Sequence, residues 1–270
     1  CVQRCLNWTV SRHQRHQLGA VRFEPMTDPR KPVVRSGIRP SQTLTPIDAT
    51  SAVVAFFAAW FAAQVLSVIV LSIFGETGGT NTPIGVLAIA LTVTWFAYIA
   101  GMWTVSERSG TADPVNDFGI SILPIDGIGF GIGVLAQLVV IRLVYFPLEN
   151  LWPRVFGDDE LKRNAEGLVD RAGGLMMVLL FVFVVFGAPI VEELFYRGLL
   201  QRSLLARFND TLVVVGVAAL FALIHFRPVE YPGLFVFGLI LGICAQVTGR
   251  LGMSIMAHIG FNLTGLILVL

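Results

Sequence analysis

Long apolar runs separated by short polar segments fill the chain after residue 48. A membrane-spanning helix needs about 20 predominantly apolar residues, and seven runs approach or exceed that length. In chain order they are Ser51–Phe74, Pro83–Val105, Gly127–Pro147, Ala172–Val191, Thr211–Phe226, Pro232–Gly249 and Leu251–Leu270. The fourth continues toward Arg207 as one long or kinked helix. The pattern predicts an all-α polytopic membrane protein with about seven transmembrane helices, eight being the alternative count.

Glycines recur at helical spacing in two of these runs. Four glycines at alternate positions from Gly127 to Gly133 form two overlapping small-x-x-x-small pairs, in a run that only Arg142 interrupts. Gly238 and Gly242 form a further pair in the sixth run. Such pairs allow close helix packing in a bilayer, so we expect tight interhelical contacts at both places.

The polar segments divide the chain into four parts. Residues 1–48 are rich in Arg, Gln and Pro, which predicts a disordered basic tail. Residues 49–150 carry the N-terminal helices, and residues 151–171 form a charged loop or interfacial helix. Residues 172–270 carry the remaining helices. The basic tail favours a cytoplasmic N-terminus by the positive-inside rule, although the basic residues of the charged loop then lie outside.

Composition agrees with the membrane assignment. The chain is 55% hydrophobic and 14% charged, whereas soluble domains carry about 25% charged residues. A net charge of +1 gives no basis for nucleic-acid binding, so the expected surroundings are a lipid bilayer. Lysine is confined to Lys31 and Lys162 beside abundant Ala, Gly, Val and Arg. This usage is typical of a GC-rich bacterial genome and predicts a bacterial cell membrane.

Strongly polar side chains reappear inside the most apolar third of the chain. Charged side chains at membrane depth cost about 2–3 kcal/mol or more, so they are expected to serve a purpose. Glu193 and Arg197 have the favourable i, i+4 spacing for an ion pair. Glu192 points about 100° away on the helix and has no partner in the local sequence. The alternative is that both glutamates belong to one structural ion-pair network.

Two histidines and an asparagine accompany these charges. His258 and Asn262 are four residues apart and share one helix face, while His225 ends the run that contains Phe221. A single histidine on an apolar helix is more often a packing residue. However, counting 1.5 Å per residue from the helix ends places Glu192, His225 and Asn262 at about 20–22 Å, with His258 one turn away. This common depth predicts a shared polar site.

These residues resemble the three signature motifs of the CPBP family, which includes the type II CAAX prenyl proteases and the bacteriocin-processing Abi proteases. The motifs are Glu192-Glu193-x-x-x-Arg197, Phe221-x-x-x-His225 and His258-x-x-x-Asn262. The resemblance covers residues 172–270 and implies an intramembrane endopeptidase with its catalytic core there. It implies that Glu192 and His225 activate a water molecule and that His258 and Asn262 stabilise the oxyanion. Arg197 then orients Glu193, and Phe221 supports the site.

Several alternatives stay open at this point. A divalent metal such as zinc is a candidate cofactor, held by Glu192, His225 and His258, but a metal-free Glu–His dyad accounts for the same residues, and the HExxH spacing is absent. We expect a leader peptide or another membrane protein as substrate rather than a prenylated protein. The rival functions are a transporter and a catalytically silent scaffold or immunity protein. Transporters usually show inverted repeats, and we find none.

Overall fold

The computed structural model describes residues 47–79, 81–157 and 166–270. Within these ranges the chain forms helices and turns without any strand. Seven long helices follow in order: α1 (Ala49–Ile73), α2 (Ile84–Ser109), α3 (Pro124–Leu151), α4 (Leu175–Leu205), α5 (Asp210–Ile224), α6 (Pro228–Thr248) and α7 (Gly252–Val269). The predicted all-α class is confirmed. The predicted disordered tail lies, apart from its last two residues, outside the described part of the chain.

Six of the seven helices are long and apolar enough to cross a membrane. Their outer faces expose large apolar side chains such as Phe61, Phe96 and Leu143, as expected for a protein that is integral to a bilayer. Helix α5 has only 15 residues, or about 22 Å, which is less than the ~30 Å hydrocarbon core. About seven spanning helices were predicted. Among the described residues, six helices are long enough to span, and the seventh, α5, is shorter.

Helices α1 and α2 pack on α4 through a stack of aromatic rings. The Phe195 ring of α4 lies between Phe56 of α1 and Tyr98 of α2, with ring centroids 4.3 Å and 4.0 Å away and nearly parallel planes. All three side chains are buried. Aromatic rings carry a large buried area and a preferred stacking geometry. The stack therefore fixes the position of α4 close to Glu193, which lies two residues before Phe195.

Helices α3 and α7 approach so closely that their contact requires glycine. A Cβ atom added at Gly129 or Gly133 would overlap the backbone carbonyl of Met253 or Ala257, respectively. One added at Gly260 of α7 would overlap the backbone of Phe130. The close contact expected from the glycine spacing is therefore present. Because His258 follows Ala257 directly, this contact also determines where His258 lies.

Three stretches inside α3 and α4 have π-helical geometry: Ala136–Val140, Val182–Gly187 and Glu193–Gln201. Pro189 lies between the two stretches of α4 and has no N–H with which to bond the carbonyl of Val185. A π-helical turn often accompanies a functional site, because it changes the direction of side chains and frees backbone groups. All three stretches contribute residues to the site described below.

Hydrogen bonds between loops show which helix ends lie together. At one end, the N–H of Leu251 donates to the carbonyl of Gly119 (3.1 Å) and Arg202 donates to the carbonyl of Gly249 (2.9 Å). Arg250 at this end forms two bonds with the buried carboxylate of Asp126, at 2.7 and 3.1 Å. We call this the Arg250 end. The helices alternate in direction, so α2, α4 and α6 end here while α3, α5 and α7 begin here.

The opposite end, called the Tyr145 end, is held by different bonds. The Tyr145 hydroxyl donates to the carbonyl of Val229 (2.7 Å), and Arg171 donates to the carbonyl of Thr82 (2.6 Å). The charged segment predicted at 151–171 belongs to this end. Its described parts are a helical turn, Pro153–Phe156, and a helical stretch at 166–171; the rest of it lies outside the described residues.

Candidate functional site

A buried network of three charged or polar side chains forms the centre of the site. Arg197 donates to Oε1 of Glu193 at 2.9 Å, and Nδ1 of His258 lies 3.0 Å from the same oxygen. The side chains of Glu193 and Arg197 are fully buried. Arg197 also donates to the carbonyl of Gly238 at 3.1 Å. The i, i+4 ion pair predicted from the sequence is present, and the attraction between its charges offsets part of their desolvation.

Glu192 lies on the other side of the His258 ring. Its Oε2 is 3.9 Å from Nε2 of His258, and its side chain is 23% exposed, in contrast to the buried Glu193. The two neighbouring glutamates therefore face opposite nitrogens of one imidazole. Glu193 fixes the ring from the buried side, and Glu192 meets it from the accessible side. The sequence predicted different surroundings for the two carboxylates, and the structure places both at the same histidine.

The Phe221 ring connects the two histidines. Its centroid is 4.8 Å from the His225 ring and 6.0 Å from the His258 ring, both in edge-to-face arrangement. The Arg197 guanidinium lies over its face, 4.6 Å from the centroid, which is a cation–π contact. Phe221 is therefore a buried surface shared by Arg197 and the two histidines.

His225 lies at the carboxyl end of α5, where the chain leaves the helix. Its Nδ1 lies 2.6 Å from the carbonyl oxygen of Phe221. A carbonyl oxygen only accepts hydrogen bonds, so Nδ1 carries the proton of this bond. In the neutral ring, Nε2 is then left as an acceptor. The next residue, Phe226, has a left-handed backbone with φ of 52°, and this ends the helix at His225.

Asn262 lies one turn beyond His258 on α7. Its Nδ2 donates to the carbonyl of Val184 at 2.8 Å, within the first π-helical stretch of α4. Asn262 also lines a cavity of 290 Å³ between α3, α4 and α7, together with Gln137, Arg227 and Glu230. The remaining lining is apolar. Through Asn262, the site thus borders a partly open cavity that could hold part of a bound molecule.

A larger cavity of 910 Å³ lies next to the first one, between α1, α2 and α4. Leu168, Leu180, Val184 and Arg227 line both cavities. The larger cavity is also lined by residues of the loop before α2 and by Arg171, so it reaches the Tyr145 end. Arg227 lies on non-helical backbone just past the end of α5, and such backbone is tolerated at membrane depth where it lines a cavity.

Zinc ligation by Glu192, His225 and His258 does not fit the structure as it stands. Among the described residues, no group of three or more His, Cys, Asp or Glu side chains is arranged to hold a metal ion. Glu192 faces Nε2 of His258 at 3.9 Å, but His225 does not complete a metal-binding group of three with them. We therefore derive no catalytic step through a metal.

Residues 174–264 match the family described as type II CAAX prenyl endopeptidase Rce1-like. The C-terminal region resembles these proteases. The match covers about a third of the chain, from the start of α4 into α7. It confirms the resemblance predicted from the three motifs, all of which lie inside the Rce1-like region. No curated protein and no solved structure matches the chain.

The structure brings together most of the residues singled out from the sequence. Glu193 contacts Arg197 and His258, the Phe221 ring also contacts Arg197 and His258, and Glu192 faces His258. His225 joins them through the Phe221 ring. Asn262 is tied to α4 instead of to this cluster. Gln137, which lines the same cavity as Asn262, was not predicted from the sequence. A carboxamide in the middle of an apolar run was the signal that could have identified it.

Proposed function

We propose that this protein is an intramembrane endopeptidase that hydrolyses a peptide bond near or within the bilayer. The observation that carries the proposal is the His258 ring, which lies between a buried Glu193 and a partly exposed Glu192. An ion-pair network that served packing alone would give no reason for a second carboxylate at the accessible nitrogen. The Rce1-like match over the same helices supports a protease.

Glu192 acts as the general base in this proposal. Its distance of 3.9 Å from Nε2 of His258 is too long for a direct hydrogen bond, but one water molecule can reach both atoms. Glu192 removes a proton from that water while the oxygen attacks the carbonyl carbon of the substrate. The tetrahedral intermediate then collapses, the C–N bond breaks, and the proton held by Glu192 passes to the leaving amine.

His225 assists Glu192 through its free Nε2. Because Nδ1 is engaged with the Phe221 carbonyl, the orientation of the ring is fixed and Nε2 is the atom available to accept from water. The Phe221 ring holds this imidazole in an edge-to-face contact. His225 thus contributes a second acceptor for the attacking water, as the family resemblance implies.

His258 and Asn262 stabilise the developing oxyanion. Nδ1 of His258 donates to the Glu193 carboxylate, so Nε2 is the ring atom that can face the substrate, and it donates to the oxyanion in the imidazolium form of the ring. Asn262 uses one of its two N–H groups for the Val184 carbonyl, and the second can donate to the substrate oxygen. Donors fixed in advance at an oxyanion are often worth about 3–4 kcal/mol. Arg197 and Glu193 act as positioning residues for His258.

The substrate is proposed to be a leader peptide or another membrane protein, and the membrane a bacterial cell membrane with the N-terminus in the cytoplasm. The test is a comparison of membrane proteomes from cells with the wild-type protein and with Glu192→Gln. We expect uncut precursors to accumulate with Glu192→Gln, since glutamine keeps the size of the side chain but is no base. Glu107→Gln, at the exposed end of α2, is the matched control.

The result also separates the proposal from the scaffold alternative. If Glu192→Gln inserts normally into the membrane and no precursor accumulates, the protein is a silent scaffold rather than a protease. If precursors accumulate with Glu107→Gln to the same extent, the effect does not come from the site. Only a specific effect of Glu192→Gln supports the proposed hydrolysis.

A further inference from the structure

Gln137 is the polar residue at the middle of α3, in its π-helical stretch Ala136–Val140. Neither the family motifs nor the network around His258 accounts for it. A carboxamide within a transmembrane helix is costly unless its donors and acceptor are satisfied. Yet Oε1 of Gln137 is inaccessible to solvent and has no hydrogen-bond partner. The side chain therefore carries an unmet acceptor at the centre of the protein.

The side chain of Gln137 lies at a cavity, although its Oε1 is turned away from the accessible space. Gln137 and Asn262 line the same 290 Å³ cavity. The carboxamide lies over Gly265 of α7, with Nε2 3.5 Å from where a Cβ at that position would be. Gly265 follows Asn262 by three residues, so the two carboxamides lie along one face of α7, about a turn apart. The glycine leaves room for the Gln137 side chain beside the cavity.

We propose that Gln137 binds the backbone of the peptide substrate next to the bond that is cut. This inference rests on the proposed function and names a substrate-binding residue that the motifs do not contain. A carboxamide offers one acceptor and two donors, which matches the N–H and C=O of a peptide group. The carboxamide, which no hydrogen bond holds through Oε1, turns on binding so that Oε1 accepts from a substrate N–H, and Asn262 lies a turn away toward the reacting carbonyl. The apolar lining of the cavity receives the neighbouring side chains.

Gln137→Leu is the variant that tests this role, because leucine has a similar size and removes both polar functions. Gln64→Leu is the matched control: Gln64 is also a glutamine in a membrane helix, α1, but does not line either cavity. The membrane proteomes of both variants are compared with those of the wild type and Glu192→Gln. We expect Gln137→Leu to accumulate the precursors seen with Glu192→Gln, and Gln64→Leu to accumulate none.

Purified proteins then separate substrate binding from a structural role. The probe is a synthetic peptide spanning the cleavage site of a precursor that accumulates with Glu192→Gln. We expect Gln137→Leu to raise KM about five- to ten-fold, the range for one or two lost hydrogen bonds, with kcat little changed. Its Tm in detergent should equal or exceed that of the wild type, because replacing an unpartnered polar group with an apolar one is neutral or stabilising.

The outcomes distinguish the two proposals. If Glu192→Gln accumulates no precursor, the protease proposal fails, and the role of Gln137 fails with it. If Glu192→Gln accumulates precursors but Gln137→Leu cleaves with the wild-type KM, only the inference about Gln137 is overturned. A marked fall in Tm for Gln137→Leu with an unchanged KM would likewise show that Gln137 serves packing.

Discussion

Glu192 and Glu193 are adjacent in the sequence, but their surroundings differ. The same substitution should therefore mainly lower stability at Glu193 and mainly abolish cleavage at Glu192. Glu193→Gln leaves the buried Arg197 without its counter-charge, and breaking such a pair typically costs about 3–5 kcal/mol. Glu192 is partly exposed and 3.9 Å from its neighbour, so Glu192→Gln should change stability by less than about 1 kcal/mol while abolishing cleavage. Thermal unfolding in detergent measures the stability of both variants, and equal losses of stability would contradict the assignment.

Arg197 gives a second prediction at the scale of a single residue. Its guanidinium simultaneously bonds Glu193, bonds the Gly238 carbonyl and covers the Phe221 ring. A lysine keeps the charge but offers a point donor instead of a planar fork. Arg197→Lys should therefore lower stability by about 1–2 kcal/mol, less than Glu193→Gln does. Arg108→Lys, at the exposed end of α2, is the control, and an equal Tm for the two variants would contradict the prediction.

At the scale of the helices, the contact between α3 and α7 determines the position of His258. Gly133→Ala places a methyl group against the Ala257 carbonyl, which forces the two helices apart. Gly131→Ala lies two residues away on the same helix and meets nothing within 4 Å. We expect Gly133→Ala to lower both Tm and cleavage, and Gly131→Ala to leave both unchanged or to raise Tm slightly. Matching effects of the two variants would show that the glycine contact is unimportant.

Much of the helical architecture was predictable, because the cost of polar groups in lipid fixes where a helix begins and ends. The bounds of α1 and α2 differ from the predicted runs by only a few residues. The Glu193–Arg197 pair was predictable as well, since its spacing is local. The π-helical stretches were not, because they depend on packing and on Pro189 in its context. Nor was the contact between Glu193 and His258, which joins residues 65 positions apart.

For the molecule as a whole, the helices alternate in direction, so its orientation depends only on which of the two ends faces the cytoplasm. The loops at the Arg250 end share one side of the membrane, and the two cavities extend toward the Tyr145 end. Both ends carry arginines in the described loops, so the number of basic residues in these loops does not distinguish the two ends. The N-terminal tail adds eight basic residues before α1, and its charge favours the cytoplasm for the Arg250 end. We therefore predict that the Tyr145 end faces outward.

Cysteine labelling of intact cells tests this orientation directly. Cys1, Cys5 and Cys244 are first replaced by serine, and one cysteine is then introduced at exposed Gly79 (Tyr145 end) or at exposed Val115 (Arg250 end). We expect a membrane-impermeant maleimide to label Gly79→Cys in intact cells, and Val115→Cys only after permeabilisation. In that case substrates reach the cavities from outside, as for the leader of an exported peptide. The reverse pattern would place the tail outside and direct the cavities toward cytoplasmic substrates.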